Sequence, residues 1–140
     1  MRSILLFALL AAPFTASACG LCVEDKIAAV YDHAAVTRAL AAKRTVAFFA
    51  IEGAIPPGAA ALRRITAMVS SVPGLDKDGV RLSLDAASLA ISFDPRGGDL
   101  AKVQKVLERR LAPMGLSLLA MRVMDRPGDL AAVRRPREGD

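Results

Sequence analysis

Two cysteines stand in this 140-residue chain, Cys19 and Cys22, in the run Cys-Gly-Leu-Cys. Thiolates at this spacing can close on one soft ion such as Cu(I), or cycle between a dithiol and a disulfide. In an oxidising compartment the same pair can also be a plain structural disulfide. A thioredoxin-type oxidoreductase carries the motif between a strand and a helix of a βαβ unit, whereas here only an apolar leader precedes it. The other groups that could join this chemistry are few. His33 is the only histidine, and along one continuous helix it would stand about 16 Å from Cys22. One ion cannot be held by both within a protomer, so His33 reads as a packed or surface residue. Met114, Met121 and Met124 offer thioethers, but methionine at strand and helix-end positions is more often core filler. Glu24, Asp25 and Asp32 read as a solvated helix face. No serine–histidine–acid arrangement, phosphate loop or four-ligand zinc spacing occurs, and the expectation is a protein that is not an enzyme.

Position along the chain fixes what can be done with the pair. Arg2 followed by Ser3-Ile-Leu-Leu-Phe-Ala-Leu-Leu-Ala-Ala12 has the pattern of an export signal, and Ala16-Ser-Ala18 fits small-x-small cleavage. Residues 1–18 are therefore read as a signal peptide and the protein as periplasmic or secreted. Cys19 directly after Ala18 also permits a lipoprotein anchored through that sulfur, although a lipobox favours Leu where Ala16 stands. In that case Cys19 would be lost as a thiol. The run is too short to span a bilayer and is interrupted by Pro13. The net charge of +5 counts Arg2 of the signal. The cations are scattered or gathered near the C-terminus with few aromatics between them, which argues against nucleic acid.

The elements that must position the cysteines follow from periodicity. Residues 22–42 contain neither Gly nor Pro and predict one helix, with Val23, Ile27, Val30, Ala34, Thr37 and Ala41 on a stripe widened by Val36 and Leu40. Its start favours the thiolate of Cys22, and Lys26 one turn on adds to that. Thr45-Val-Ala-Phe-Phe-Ala-Ile-Glu-Gly53 is apolar on both faces, the mark of a central strand covered on both sides. A helix after Pro56-Pro57 would turn Leu62, Ile65, Met68, Val69 and Val72 inward and Arg63 and Arg64 outward. Val80–Asp85 and Leu89–Asp94 alternate as half-buried strands. A helix from Leu100 presents Val103, Leu107 and Leu111, and Leu116–Val123 closes the series. The order β-α-β-β-α-β past residue 44 predicts an α+β, ferredoxin-like sandwich. Its two helices leave the second face of the central strand open. The N-terminal helix is then expected on that face, against Val46, Phe48 or Phe49, and Leu118 or Leu119. The divisions are 1–18 signal, 19–44 Cys-x-x-Cys and helix, 45–125 sandwich, and 126–140 a flexible tail that contributes little to stability.

Ile51-Glu-Gly53, Val72-Pro-Gly-Leu75, Val80-Arg-Leu-Ser-Leu84, Ala90-Ile-Ser-Phe-Asp-Pro95 and Met114-Gly115 resemble the heavy-metal-associated domain of copper chaperones and P-type ATPase tails. The resemblance covers about residues 45–123. It implies a metal-handling role, a soft ion such as Cu(I), and a membrane metal transporter or another exported protein as partner. In that family the loop after the first strand carries Met-x-Cys-x-x-Cys. Here it reads Ala54-Ile-Pro-Pro-Gly-Ala59, with Pro56 and Ala59 at the thiolate positions. A 22–42 helix and a 45–53 strand are each about 30 Å long, so an antiparallel helix would return Cys19 and Cys22 to the neighbourhood of Ala54–Gly58. The expectation is metal binding by Cys19 and Cys22. The alternatives are an interaction module with a disulfide or lipid anchor, and a small thiol-redox protein.

Overall fold

The computed structural model describes residues 22–130. At its centre lies β1 (Thr45–Glu52), in which every residue but Glu52 is buried. On either side are its antiparallel partners, β3 (Ser88–Phe93) and β4 (Ser117–Met124), and β2 (Arg81–Ser83) extends the sheet beyond β3 in the order β2-β3-β1-β4. The crossovers are α3 (Ala59–Ser70) and α4 (Leu100–Leu111), so the chain past residue 44 is the ferredoxin-like βαββαβ arrangement.

Side chains of β1 alternate between two separate cores. Ala47, Phe49 and Ile51 join Leu89, Ile91 and Phe93 of β3 beneath Ile65 and Val69 of α3 and Leu107 and Leu111 of α4. Val46 and Phe48 point the other way, into a cluster with Ile27, Val30, Val36, Ala39, Leu40, Ala90 and Met124. The N-terminal segment does cover the second face.

It does so as two helices. In place of one helix over 22–42, α1 spans Val23–Ala28 and α2 spans His33–Ala41. Asp32 causes the break: with extended φ −116° and ψ 106°, its carboxylate accepts the Ala35 N–H at 3.0 Å and caps α2. A short polar side chain that bonds its own backbone competes with helix continuation even in an alanine-rich run. The break resets the helical phase. Beyond Val30 the buried positions are Ala35, Val36, Ala39 and Leu40, while Ala34, Thr37 and Ala41 of the expected stripe are exposed.

Three further expectations need correcting. Leu119 is 55 % exposed and Leu118 belongs to the first core, so Met124, Met121 and Ala90 are what the N-terminal helices meet beside β1. A β-bulge is the reason: Phe48 pairs with Arg122 but Phe49 with Ala120, leaving Met121 as the extra residue. In α3 the inward positions are Ala61, Ile65 and Val69, and Leu62 lies outside at 38 % exposure. The strand read as half-buried, β3, is buried throughout. Its Ser88, Ala90 and Ser92 pair with Ala50, Phe48 and Val46 on the second face, where small side chains let α1 and α2 approach.

Near the C-terminus, Leu130 packs against the second cluster with Tyr31 and Met121. The Asp129 carboxylate accepts the N–H groups of Asp125 and Arg126. The tail expected from residue 126 therefore begins as a packed turn, because Leu130 finds apolar surface that the two helices leave open.

Gly53, at the end of β1, cannot be replaced without movement. Its φ is +114°, and a Cβ there would stand 2.5 Å from the Gly115 carbonyl oxygen.

Candidate functional site

Cys22 is the residue before α1, exposed, with a free thiol among the described residues. Its sulfur donates a hydrogen bond to Asp25 Oδ2 at 3.0 Å, and its carbonyl accepts the Lys26 N–H. Cys19 lies outside the described residues, and so do the signal peptide and residues 131–140 of the expected tail.

Three ties hold α1, and so Cys22, to the sheet. Ile27 is buried against Phe48. Glu24 forms a bidentate ion pair with Arg122, which the bulge turns toward the second face. Lys26 Nζ donates to the Ala86 carbonyl at 2.8 Å, at the β2–β3 turn. This last contact revises the electrostatic expectation. The Lys26 ammonium, expected to favour a Cys22 thiolate, is engaged by a carbonyl, and the immediate partner of the sulfur is a carboxylate. Metal binding at Cys22 has to release the thiol proton and break the bond to Asp25.

Cys22 does not line the groove beside the loop at residues 55–59. Ile55, Pro56, Pro57, Gly58, Ala59 and Leu62 form one wall of an open groove of about 610 Å³, and Leu82–Asp85 form the other. The N-terminal segment contributes Ala29, at the far end of α1. The geometry expected to bring Cys22 to Ala54–Gly58 required a straight helix across the full strand, and the break at Asp32 removes that premise.

His33 is exposed at the start of α2, its Nδ1 sharing a hydrogen bond of 3.2 Å with the Tyr31 hydroxyl. The Tyr31 ring in turn stacks on Phe48, with centroids 6.3 Å apart. Met124 is buried in the second cluster, Met121 packs against it, and Met114 packs against the first. Among the described residues no three His, Cys, Asp or Glu side chains converge as a ligand group.

The polar frame of the N-terminal segment centres on Asp32. Its carboxylate accepts from Arg81 Nη2 at 2.9 Å and Nε at 3.2 Å as well as from Ala35. The Ala35 N–H, and after it the Arg81 guanidinium, hold this carboxyl below the usual carboxylate range. The expectation of a solvated helix face at Asp32 is corrected: its carboxylate caps α2, and an Asp three residues before the N–H it accepts is a readable helix start.

No protein-family model matches the chain. No curated protein sequence matches it. Two solved structures are similar to it in fold. One is the crystal structure of oxidized MerP from Ralstonia metallidurans CH34, with 16 % identity and a TM-score of 0.45, covering 56 % of this chain and 99 % of that one. The other is a copper binding domain from HMA7, a P-type ATPase, with 16 % identity and a TM-score of 0.46, covering 56 % of this chain and 96 % of that one.

Proposed function

We propose that this chain is an exported, non-enzymatic metal-handling protein that holds one soft ion such as Cu(I) between Cys19 and Cys22 when both are reduced. The observation that supports it is the position of Cys22. It is an exposed thiol at the head of α1, an element fixed to the sheet through Glu24–Arg122 and Ile27. Thiolate pairs suit Cu(I), which accepts two-coordinate binding, so His33 is not required. The partners in this reading are the metal ion and a membrane transporter or another exported protein. Residues 1–18 provide the export, with lipidation at Cys19 as the competing fate of that sulfur.

A second reading has its own support. Leu119 and Val123, 55 % and 42 % exposed on the edge strand β4, suit a periplasmic interaction module in which the cysteines form only a disulfide or an anchor. A competition titration separates the two. Reduced protein and the Cys19→Ser/Cys22→Ser double variant are titrated against a chromogenic Cu(I) chelator. The metal reading expects a single equivalent withdrawn by the wild type and none by the variant. Equal uptake by both, or by neither, leaves the interaction module. The mass of the exported protein distinguishes thiol, disulfide and lipid at Cys19.

A further inference from the structure

We propose that the outer face of the α3–α4 layer is a docking surface for anionic lipid headgroups, independent of the cysteines and of any anchor at Cys19. On α4, Leu107 and Leu111 are buried against the sheet, while Lys102, Lys105 and Arg109 are exposed on the opposite side. Their three- and four-residue spacing places all three in one stripe about 10 Å long. On α3, Arg63 and Arg64 are exposed. Arg110 Nη1 donates to Ser71 Oγ at 3.0 Å, joining α4 to the end of α3.

What sets this face apart is the missing opposite charge. A solvated helix face normally interleaves Glu with Lys, since like charges three and four residues apart repel. Here α3 contains no acid, and the single acid of α4, Glu108, is turned to the sheet edge, where Oε1 accepts from Leu118 N and Gln104 Nε2. The four ion pairs among the described residues, Arg81–Asp32, Arg96–Asp94, Arg122–Glu24 and Arg126–Asp125, all lie outside the layer. Within it, Lys102 reaches only the Gly97 carbonyl, at 3.3 Å. The one further acid at the edge of the layer is exposed Asp99, which caps α4 by accepting the Lys102 N–H at 2.9 Å, so among the described residues the stripe keeps an excess of positive charge.

The shape selects the partner. Both helices bury one face in the first core and touch each other, so the exposed cations are spread over two packed helices rather than carried on one free helix that could enter a duplex groove. No aromatic ring is exposed in the layer for bases to stack on, since Phe48, Phe49 and Phe93 are all buried. A bilayer surface rich in anionic headgroups matches a flat array of lysines and arginines.

The test is co-sedimentation of the full chain with phosphatidylcholine vesicles, with and without phosphatidylglycerol, at low and high salt. The wild type should bind the anionic vesicles well above the neutral ones, and salt should abolish the difference. Lys102→Glu/Lys105→Glu/Arg109→Glu should lose more than about a hundredfold in that excess affinity, since removing three cations at such a surface costs on the order of a hundredfold before any repulsion is added. The Gln triple variant, checked for wild-type circular dichroism, should show a smaller loss in the same direction. Arg134→Glu/Arg135→Glu/Arg137→Glu carries the same charge change near the C-terminus and should bind as the wild type does. Equal losses from both charge reversals, no loss from the α4 variants, or tighter binding to duplex DNA than to the anionic vesicles would each overturn the assignment.

Discussion

Phe48 and Phe49 are neighbours in sequence, both fully buried, and belong to different cores. Phe49 lies under α3 and α4, and Phe48 under the two N-terminal helices with Tyr31 stacked on its ring. The relationship makes residues 22–41 part of the folded domain. Phe48→Ala and Phe49→Ala should each cost about 3–5 kcal/mol in urea unfolding, the usual loss for a buried phenylalanine. An N-terminal segment that only rested loosely on the sheet would leave the Phe48 variant within about 1 kcal/mol of the wild type, as for surface positions.

Asp32 should behave as a cap first and an ion-pair partner second. Asp32→Ala is expected to lose about 1–2 kcal/mol, and Asp32→Asn, which still caps α2, distinctly less. Arg81 and Asp32 are both more than a third exposed, so their ion pair adds little by itself. The same residue enters the acid limb of stability. Hydrogen bonds from Arg96 lower the Asp94 carboxyl to about 2, the Ala35 N–H and Arg81 lower Asp32, and the N–H groups of Asp125 and Arg126 lower Asp129. All three lie below the ordinary value of 3.8, so the unfolded chain takes up protons first on acidification. Their contribution is whole above that value and is lost as the pH falls toward about 2. Urea midpoints measured down this range should fall for the wild type and fall less steeply for Asp32→Asn.

Leu130 replaces an expectation with its opposite. Deleting residues 127–140 should lower the melting temperature by several degrees, and Leu130→Ala should account for about 1 kcal/mol of that, as a half-buried leucine losing most of its contact. A melting curve unchanged by the deletion would mean that Leu130 adds nothing to the second cluster.

Most of the sandwich was legible because its signals are local and periodic. The two-sided apolarity of Thr45–Ile51 named the central strand and required a second cover. Leu100, Val103, Leu107 and Leu111 marked the inner face of α4, and all four pack in the first core. The N-terminal layer was harder to read. Alanine fits either a buried or an exposed helix position, so the phase change at Asp32 left no mark in the apolar pattern, and only its capping chemistry could reveal it. The bulge at Met121 was equally silent, since Leu118, Leu119, Met121 and Val123 are all apolar and fix no register by themselves. Ser92 misled for a related reason: a small polar residue can lie under a helix as readily as against water. For the site, Cys22 could be named as a candidate from its type and its spacing to Cys19, while its separation from His33 was argued from one continuous helix that the break at Asp32 replaces. The sequence could not show that Asp25 would accept a hydrogen bond from the thiol and Ala86 one from the Lys26 ammonium, because both depend on how α1 crosses the sheet.

The central claim is that Cys19 and Cys22 alone hold the ion. X-ray absorption at the copper edge of the reduced protein carrying one equivalent of Cu(I) tests it most directly. The account predicts a first shell of two sulfur neighbours and no histidine nitrogen, unchanged by His33→Ala and abolished by Cys19→Ser/Cys22→Ser. A nitrogen shell that disappears with His33, or a spectrum that survives loss of both cysteines, would contradict it.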